Sequence, residues 1–514
     1  MKVVTAQQMR ALDQEATQDL GIPSLLLMEN AARGLVDRIE VHLGKVQSQK
    51  VVILSGSGNN GGDGLAAARH LRMRGAEVTV YLFTVPEQVS GDAKVSLEIW
   101  QKSCGVLYTQ NRLCWDQLET DLRGCHLVID ALLGTGLTRA VEGEMARAIA
   151  LLNTVKSKQR PVVSVDIPSG IAADTGERLG MAVQADYTFA IALPKYGHYT
   201  GAGLEHRGVL DVIDIGFPPP WVEAAGLTTE TISAPVMKPR PRGVHKGQMG
   251  HLLVVAGSLG KLGAARMTGY AALRTGCGLV TCALPRSLAQ TATDPMEMMT
   301  LPLPETDAGT LDGAADVQIV NAAKNKDAVA IGPGLSLHAA TQKLICALIE
   351  TIECPMVIDA DALIAISENF AVLGRHSERL ILTPHEGEMA RLLKISSQEV
   401  QKDRFAAVLK LATQYRVTAV LKGAHTLVAD PEGRIYVNET GNPGMATAGT
   451  GDVLTGVIGG LLAQGLAPLE AARHGVYFQG RAGDLVRPRM GESGLMATDI
   501  IHKLPEAMQT GMQE

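Results

Sequence analysis

Asn442-Pro443-Gly444-Met445-Ala446-Thr447-Ala448-Gly449-Thr450-Gly451-Asp452 is a run of small residues that leads into Val453, Leu454, Val457 and Ile458, the opening of an apolar helical face. Gly449 and Gly451, with Ala446 and Ala448, let the backbone take turn conformations that bulky side chains disfavour. The free amides at such a helix start suit an anion, above all a phosphate. Asp452, in the first turn, stands where a carboxylate can take a proton from a hydroxyl as that oxygen attacks a bound phosphoryl group. Phosphoryl transfer is the chemistry this stretch points to. A glycine-rich loop whose Asp only caps the helix fits the same residues.

Upstream, His251–Val255 and runs ending at Ile331, Ile358, Leu382 and Leu421 are short apolar strands separated by helical segments, the pattern of a mainly parallel sheet. They open into Gly257–Ala264, Gly332-Pro333-Gly334, Asp359-Ala360-Asp361, Thr383-Pro384-His385-Glu386 and Lys422-Gly423-Ala424-His425-Thr426. In such a sheet all these loops share the carboxyl edge with Asn442–Asp452, giving a pocket with a Lys, a His and several acids. Lys261 is followed by Leu262, so Gly257–Ala264 is not a P-loop. His385 lacks the second His of a zinc helix; substrate contact and a plain loop hydrogen bond both remain open for it.

The front of the chain repeats the logic with different loops. Thr5 and Ser24 are placed to cap two helices before the strand Val51–Leu54, which enters Gly56-Ser57-Gly58-Asn59-Asn60-Gly61-Gly62-Asp63-Gly64 and then a helix. Gly56, Gly58 and Gly61 satisfy the dinucleotide fingerprint, but the next strand, Val78–Phe83, ends without the ribose-binding acid. An ordinary NAD dehydrogenase is disfavoured, and the crowded amides with the Asn59 and Asn60 side chains suggest another way of holding a nucleotide. A tight turn with no ligand is the competing reading. Further strands at His126–Asp130, Val162–Asp166, Tyr187–Leu193 and Val209–Ile215 bring Asp130 with Gly134-Thr135-Gly136, and Asp166 with Pro168-Ser169-Gly170, to the same edge. Each acid taken singly could be a helix cap. Together with Asn and Ser oxygens, a carboxylate there could hold a hard monovalent cation.

At 514 residues the chain is long enough for two or three domains, and breaker clusters at Gly216–Pro220 and Pro235–Pro241 bracket a boundary. Domains spanning 1–220 and 228–508 are expected. With 46% hydrophobic but only 4% aromatic residues, the interior must be aliphatic, as suits tightly packed α/β layers. A net charge of -6 and no basic cluster interleaved with aromatics exclude a general nucleic-acid binder. The seven cysteines are odd in number and scattered, and read as reduced, mostly buried thiols. Met1–Leu20 has neither the basic head nor the apolar core of a signal segment, and no run reaches membrane-spanning length, so a cytoplasmic protein without membrane association is expected.

With both halves laid out, the chain resembles the bifunctional NAD(P)H-hydrate repair family from about Ala6 to about Leu504. The front half resembles its Rossmann-like NAD(P)HX epimerase domain through Asn59–Asp63, Asp130–Gly136 and Val165–Gly170. The rear half resembles its ribokinase-like NAD(P)HX dehydratase domain through Gly332–Gly334, Asp359–Asp361, Thr383–His385, Lys422–Ala424 and Gly449–Asp452. The fold this implies is α/β, with two three-layer domains.

By that resemblance Asn59, Asn60, Gly61, Gly62, Asp63, Gly134, Thr135, Gly136, Leu137, Thr138, Arg139, Ala140 and Asp166 contact the hydrated nicotinamide nucleotide. Asn60, Asp130 and Ser169 hold potassium, and Asp166 is the acid/base. In the rear half the resemblance assigns Ala264, Gly334, His385 and Asp452 to the hydrated cofactor, with Asp452 catalytic. Lys422, Gly423, Ala424, His425, Thr426 and Gly451 go to the adenine nucleotide, ADP in bacterial members or ATP in eukaryotic ones, carried with Mg2+. Substrates are then NADHX and NADPHX, and a homo-oligomer, a tetramer, is expected. Two departures stand out: Glu386 where the family often has proline, and Ala448 where it often has glycine. A ribokinase-like kinase for a vitamin precursor would use the same glycine turn and Asp452, and a non-catalytic front module is the rival of another class.

Overall fold

The computed structural model describes residues 1–237, 239–291 and 295–509. The chain forms two compact units, Met1–Leu227 and Thr228–Glu514. The front unit holds strands β1 (Lys50–Ser55), β2 (Glu77–Leu82), β3 (Val106–Thr109), β4 (Leu127–Ala131), β5 (Val162–Val165), β6 (Tyr187–Ile191) and β7 (Val209–Ile213). They form one parallel sheet in the order β3-β2-β1-β4-β5-β6-β7.

Both faces of this sheet are covered. Val51 and Ile53 pack with Leu35, Ile39, Leu65 and Leu71, whereas their alternates Val52 and Leu54 pack with Leu118, Leu122, Ile149 and Leu152. Burial on both faces is why these strands read as continuous apolar runs. The three-layer α/β architecture is the one expected. Thr5 caps helix Ala6–Gln18 as anticipated, its hydroxyl accepting from Gln8 N at 3.1 Å. Ser24 does not cap the next helix. Pro23 occupies the N-cap with φ -58° and no side-chain bond, because its ring presets the turn into the helix and leaves Ser24 inside Ser24–Leu43.

The rear unit begins with β8 (Thr229–Thr231) and continues through β9 (His251–Val255), β10 (Leu279–Pro285), β11 (Met299–Leu303), β12 (Ala328–Ile331), β13 (Met356–Ile358), β14 (Leu380–Leu382), β15 (Thr418–Leu421), β16 (Leu427–Ala429) and β17 (Ile435–Val437). The order is β11-β10-β9-β12-β13-β14-β15-β16-β17-β8. It is parallel from β11 to β15, then antiparallel through β16 and β17, with β8 parallel to β17 at the edge. The sheet is mainly parallel, as read from the sequence; the antiparallel hairpin is an addition.

One face is closed by Leu252, Val254, Ala328 and Ala330 packing with Val453, Val457 and Leu461 of helix Thr450–Ala463. The alternates Leu253, Val255, Val329 and Ile331 are buried on the other face. Helix Thr450–Ala463 lies against Leu262–Arg274 at a distance only glycine allows: a Cβ on Gly456 would sit 2.1 Å from Thr268 O. That close approach fixes where the helix start, and Asp452 on it, must lie.

All seven cysteines are free. Cys125, Cys277 and Cys282 are buried, but Cys104 and Cys114 are exposed, so the expectation of mostly buried thiols holds for three positions only. Among the described residues no helix is long and apolar enough to cross a membrane.

Candidate functional site

The front sheet reverses strand order between β1 and β4, and the loops leaving these two strands part to open a cavity of about 530 Å³. Asn59, Asn60 and Asp63 line it from the first turns of helix Asn59–Met73, which begins inside the stretch expected to be loop, and Gly134, Thr135, Gly136, Leu137, Thr138 and Arg139 from the second loop. Asp166 lines it from beyond β5. Gly61, Gly62 and Ala140 are not on its wall. Gly61 lets the helix start approach the end of β1, since a Cβ there would sit 2.1 Å from Gly56 O.

Asp166 takes φ +65°, a strained value for a residue with a Cβ. Three neighbours hold it there. Its Oδ1 accepts from Ile191 N at 2.9 Å and from the Lys195 ammonium, whose side chain is buried and also donates to Ile191 O at 3.0 Å. Its carbonyl lies 2.9 Å from His198 Nε2. His198 Nδ1 accepts from Lys195 N, so Nε2 carries the proton; burial, with Lys195 and Arg207 nearby, keeps the ring neutral by holding its pKa well below the usual value. Asp63 is pushed well above the carboxylate range by burial, then by Asp166 and Asp13. Asp13, on the first helix, is lifted to about 6 by desolvation at the cavity wall, with Lys195 opposing and Asp166 adding. The cavity thus carries a buried acid, Asp63, whose charged form is disfavoured, beside the carboxylate of Asp166 paired with Lys195.

Asp130 and Ser169 sit behind this wall, buried. Asp130 accepts from Ser169 Oγ at 2.5 Å, Ser169 N at 2.9 Å, Ser164 Oγ at 2.8 Å and Leu132 N at 3.3 Å. Burial nonetheless raises its pKa, against the bonds from Ser169, Ser164 and Leu132. Asn60 Nδ2 donates to Leu133 O at 3.0 Å, and Ser169 Oγ meets the same carbonyl at 3.2 Å. Asn60 Oδ1 is buried with no hydrogen-bond partner. An orphaned oxygen beside a hydroxyl, a carbonyl and a buried carboxylate is a donor set that fits a hard monovalent cation.

In the rear sheet strand order reverses between β9 and β12, and the loops after these strands are tied together: Ser258 Oγ donates to Gly334 O at 2.7 Å. Gly334 has φ +66°, and a Cβ on it would lie 3.1 Å from Ala264 Cβ, so these two expected substrate residues adjoin. Asn442 shapes the turn ahead of the last helix. Its Oδ1 accepts from Gly444 N at 3.1 Å, and its Nδ2 donates to Asp484 Oδ1 at 3.0 Å. Gly449, at φ +91°, then opens helix Thr450–Ala463 with no side-chain cap.

A chain of polar contacts runs across this edge. His385 caps helix Glu386–Leu393, its Nδ1 accepting from Gly387 N at 3.0 Å, and its Nε2 lies 3.5 Å from Glu388. Glu388 lies 3.7 Å from Lys422 Nζ, which bonds Asp359 Oδ1 at 2.7 Å; Asp359 Oδ2 accepts from Thr455 Oγ1 at 2.7 Å. Asp361 accepts from Ser336 N at 2.7 Å and pairs with Lys261 at 3.4 Å. Burial lowers the Lys422 pKa, but Asp359 and Glu388 outweigh it and hold the ammonium above the ordinary lysine value. Burial, then Asp359 and Asp361, with Lys422 opposing, lifts Asp452 to about 6. The Gly451 backbone lies beside Lys422 and Asp359. Beyond Lys422 the chain turns through Gly423 at φ +146° and His425 at φ +49°, and Thr426 Oγ1 closes onto Gly423 O at 3.0 Å. A base poised near neutrality stands beside an uncapped helix start and a half-buried cation.

A family model described as NAD(P)H-hydrate dehydratase matches residues 252–506, and one described as YjeF-related protein N-terminus matches 24–197. The chain is 42% identical over 523 residues to a bifunctional NAD(P)H-hydrate repair enzyme of Moorella thermoacetica, covering 100% of this chain and 98% of the relative. The chain belongs to the bifunctional NAD(P)H-hydrate repair family. The Escherichia coli member is 36% identical over 459 residues, 88% of this chain and 84% of its own. Among solved structures, the ADP/ATP-dependent NAD(P)H-hydrate dehydratase of Bacillus subtilis, co-crystallised with ATP and Mg2+, is similar at 29% identity over 54% of this chain and 95% of its own, with a TM-score of 0.45.

Several residues at these two sheet edges were not anticipated. Asp13 and Lys195 line the front cavity, and His198 braces Asp166. Lys195 follows β6 in Pro194-Lys195-Tyr196, and a lysine just past a strand end, on the edge already singled out, was the available signal. Asp13 carried none, because it lies on a helix that no strand order ties to that edge. In the rear unit Glu388, Thr455 and Arg404 complete the polar chain, each inside a helical segment whose inward face is visible only after folding.

Proposed function

We propose that the front cavity interconverts the R and S forms of hydrated NAD(P)H and that the rear sheet edge dehydrates the S form at the expense of ADP or ATP. NADHX and NADPHX carry a hydroxyl on the carbon next to the ring nitrogen. In the front unit Asp166, held by Lys195, His198 and Ile191, takes that hydroxyl's proton; a carbonyl forms as the carbon–nitrogen bond opens, its electron pair going to nitrogen, and nitrogen adds back to the carbonyl's other face while Asp166 returns the proton to oxygen, giving the other epimer. Asn59, Asn60, Asp63, Gly134, Thr135, Gly136, Leu137, Thr138 and Arg139 would position the nucleotide, with Gly61, Gly62 and Ala140 shaping the loops. Asn60 and Ser169 would hold a potassium ion, with Asp130 as the charge behind them, and the ion would fix the shape of the two loops. Both oxygens of Asp130 already accept hydrogen bonds, so its part is electrostatic.

In the rear unit Asp452 takes the proton of the same hydroxyl while that oxygen attacks the terminal phosphorus of the nucleotide, held by the helix-start amides at Gly451 and by the Lys422-Gly423-Ala424-His425-Thr426 loop. Hydroxide, a poor leaving group, becomes a phosphate ester. The nitrogen lone pair expels phosphate, and loss of the neighbouring ring proton restores the double bond. Ala264, Gly334 and His385 would seat the hydrate. Magnesium would arrive on the nucleotide phosphates and screen their charge; among the described residues no cluster of three or more His, Cys, Asp or Glu is placed to hold a metal alone.

The observation that carries this reading is the place of Asp452, in the first turn of an uncapped helix, its pKa lifted to about 6 beside the Lys422–Asp359 pair. Incubating the protein with both hydrate epimers and ADP or ATP, while following the R and S pools and the return of reduced-cofactor absorbance, tests both halves. Release of a stable phosphate ester would instead identify a kinase, and loss of S alone a silent front unit. A cytoplasmic location, supported by seven free cysteines, and a homotetramer complete the proposal; light scattering of the purified protein checks the latter.

A further inference from the structure

The Lys422–Thr426 loop is held from behind by a side chain far off in sequence. Arg404 opens helix Arg404–Tyr415 and is 4% exposed. Its Nη1 donates to Ala424 O at 2.6 Å and its Nη2 to Lys422 O at 3.5 Å. Between them Gly423 leaves the guanidinium room: a Cβ there would stand 2.8 Å from Nη2. On the other side Nε faces Glu386 Oε1 at 3.4 Å, without hydrogen-bond geometry, and Glu386 Oε2 accepts from Gln401 at 2.8 Å. Glu386 is the residue directly after His385, at the start of its helix.

In a trans peptide the N–H points opposite to the carbonyl of the same unit. Turning the Lys422 and Ala424 carbonyls onto Arg404 therefore turns the Gly423 and His425 amides away from it. We propose that Arg404 is a positioning residue: bonded to those two carbonyls and facing Glu386, it aims the Gly423 and His425 amides at the nucleotide phosphates and locks that loop to the His385 helix start. The inference rests on the assignment of this loop to the adenine nucleotide. A purely packing role fits the geometry poorly. A buried guanidinium with one carboxylate at 3.4 Å is costly to desolvate, and an apolar side chain would fill the space at less cost. Only the rigid fork of arginine reaches two carbonyls and a carboxylate at once.

The test is Arg404→Lys in the full chain, which keeps the charge and removes the fork. Calorimetric titration with ADP should show binding to the wild type, and the variant should bind about tenfold or more weakly, with a matching rise in nucleotide KM. The R-to-S exchange of the front unit should stay near wild type, and the KM for the S hydrate should rise several-fold less than that for the nucleotide. Glu386→Gln should raise nucleotide KM in the same direction, and the double variant should be no worse than Arg404→Lys alone, because the two act as one unit. Unchanged ADP affinity in Arg404→Lys, or an equal loss of hydrate and nucleotide affinity with a lowered Tm, overturns the inference. Failure of the wild type itself to bind ADP would remove the loop assignment, and the inference with it.

Discussion

Lys422 Nζ and Asp359 Oδ1 meet at 2.7 Å, and the second oxygen of the same carboxylate is fixed by Thr455 on the helix that carries Asp452. The pair sets the electrostatics of the rear site. Asp359 adds to burial in lifting Asp452 to about 6, and Lys422 limits the rise. A base must be ionised to work, so kcat/KM for dehydration of the S hydrate should fall about tenfold per pH unit once pH drops below Asp452's pKa. A pH–rate profile at saturating nucleotide reads this directly. Asp359→Asn should move the inflection to lower pH; an inflection that stays put would detach the titrating group from Asp452.

Asp452→Asn should abolish nucleotide-dependent repair, by about a thousandfold or more, and leave R-to-S exchange intact. It should also stabilise the protein at neutral pH. The folded pKa lies above the unfolded one, so between about 4 and about 6 the folded state binds more protons and stability falls as pH rises, the full cost remaining above that window. Removing the charge removes the cost. A Tm higher by a few degrees at pH 7.5, shrinking toward pH 4, is the expected result. A lower Tm at both pH values would contradict it.

Asp166→Ala should leave the R epimer untouched while S is still repaired. Lys195→Met should also silence exchange, by about a hundredfold or more, because it strands a carboxylate in a buried site without its cation. Chromatographic separation of R and S during turnover measures both. Exchange above the spontaneous rate in either variant would move the acid/base elsewhere on the cavity wall.

Potassium should raise the exchange rate and the Tm of the front unit, and sodium should do so less. Asn60→Ala and Ser169→Ala should weaken both responses. Titrating potassium chloride against an organic chloride of equal ionic strength separates binding from screening. Wild-type protein indifferent to potassium in both readouts would argue that the orphaned Asn60 oxygen serves substrate instead.

Much of this molecule was legible as strand-to-glycine-loop transitions. Both reversals of strand order fall where two such loops adjoin, Gly56–Gly64 with Asp130–Gly136 and Gly257–Ala264 with Gly332–Gly334. What stayed hidden has physical causes. β3 is a four-residue edge strand, half open to solvent, so its pattern carries no continuous apolar run. β16 and β17 form an antiparallel hairpin, off the strand–loop–helix alternation by which the parallel strands were read. Lys195 and Arg404 are cations that the fold buries whole, and sequence places such residues on the surface by default. Ser24 was outranked as a cap by the fixed ring of the proline before it.

β8 lies at the outer edge of the rear sheet although it is the first strand of that unit, and among the described residues it pairs with β17 alone. A shortened protein started at residue 252, where the dehydratase match begins, would strip that cover and display the backbone N–H and C=O groups of β17 to other chains. Begun at 228 instead, the fragment keeps its own selvedge. Sedimentation of the two truncations should find the longer one well behaved and the shorter one clumping, which tells anyone cutting this gene where the blade belongs.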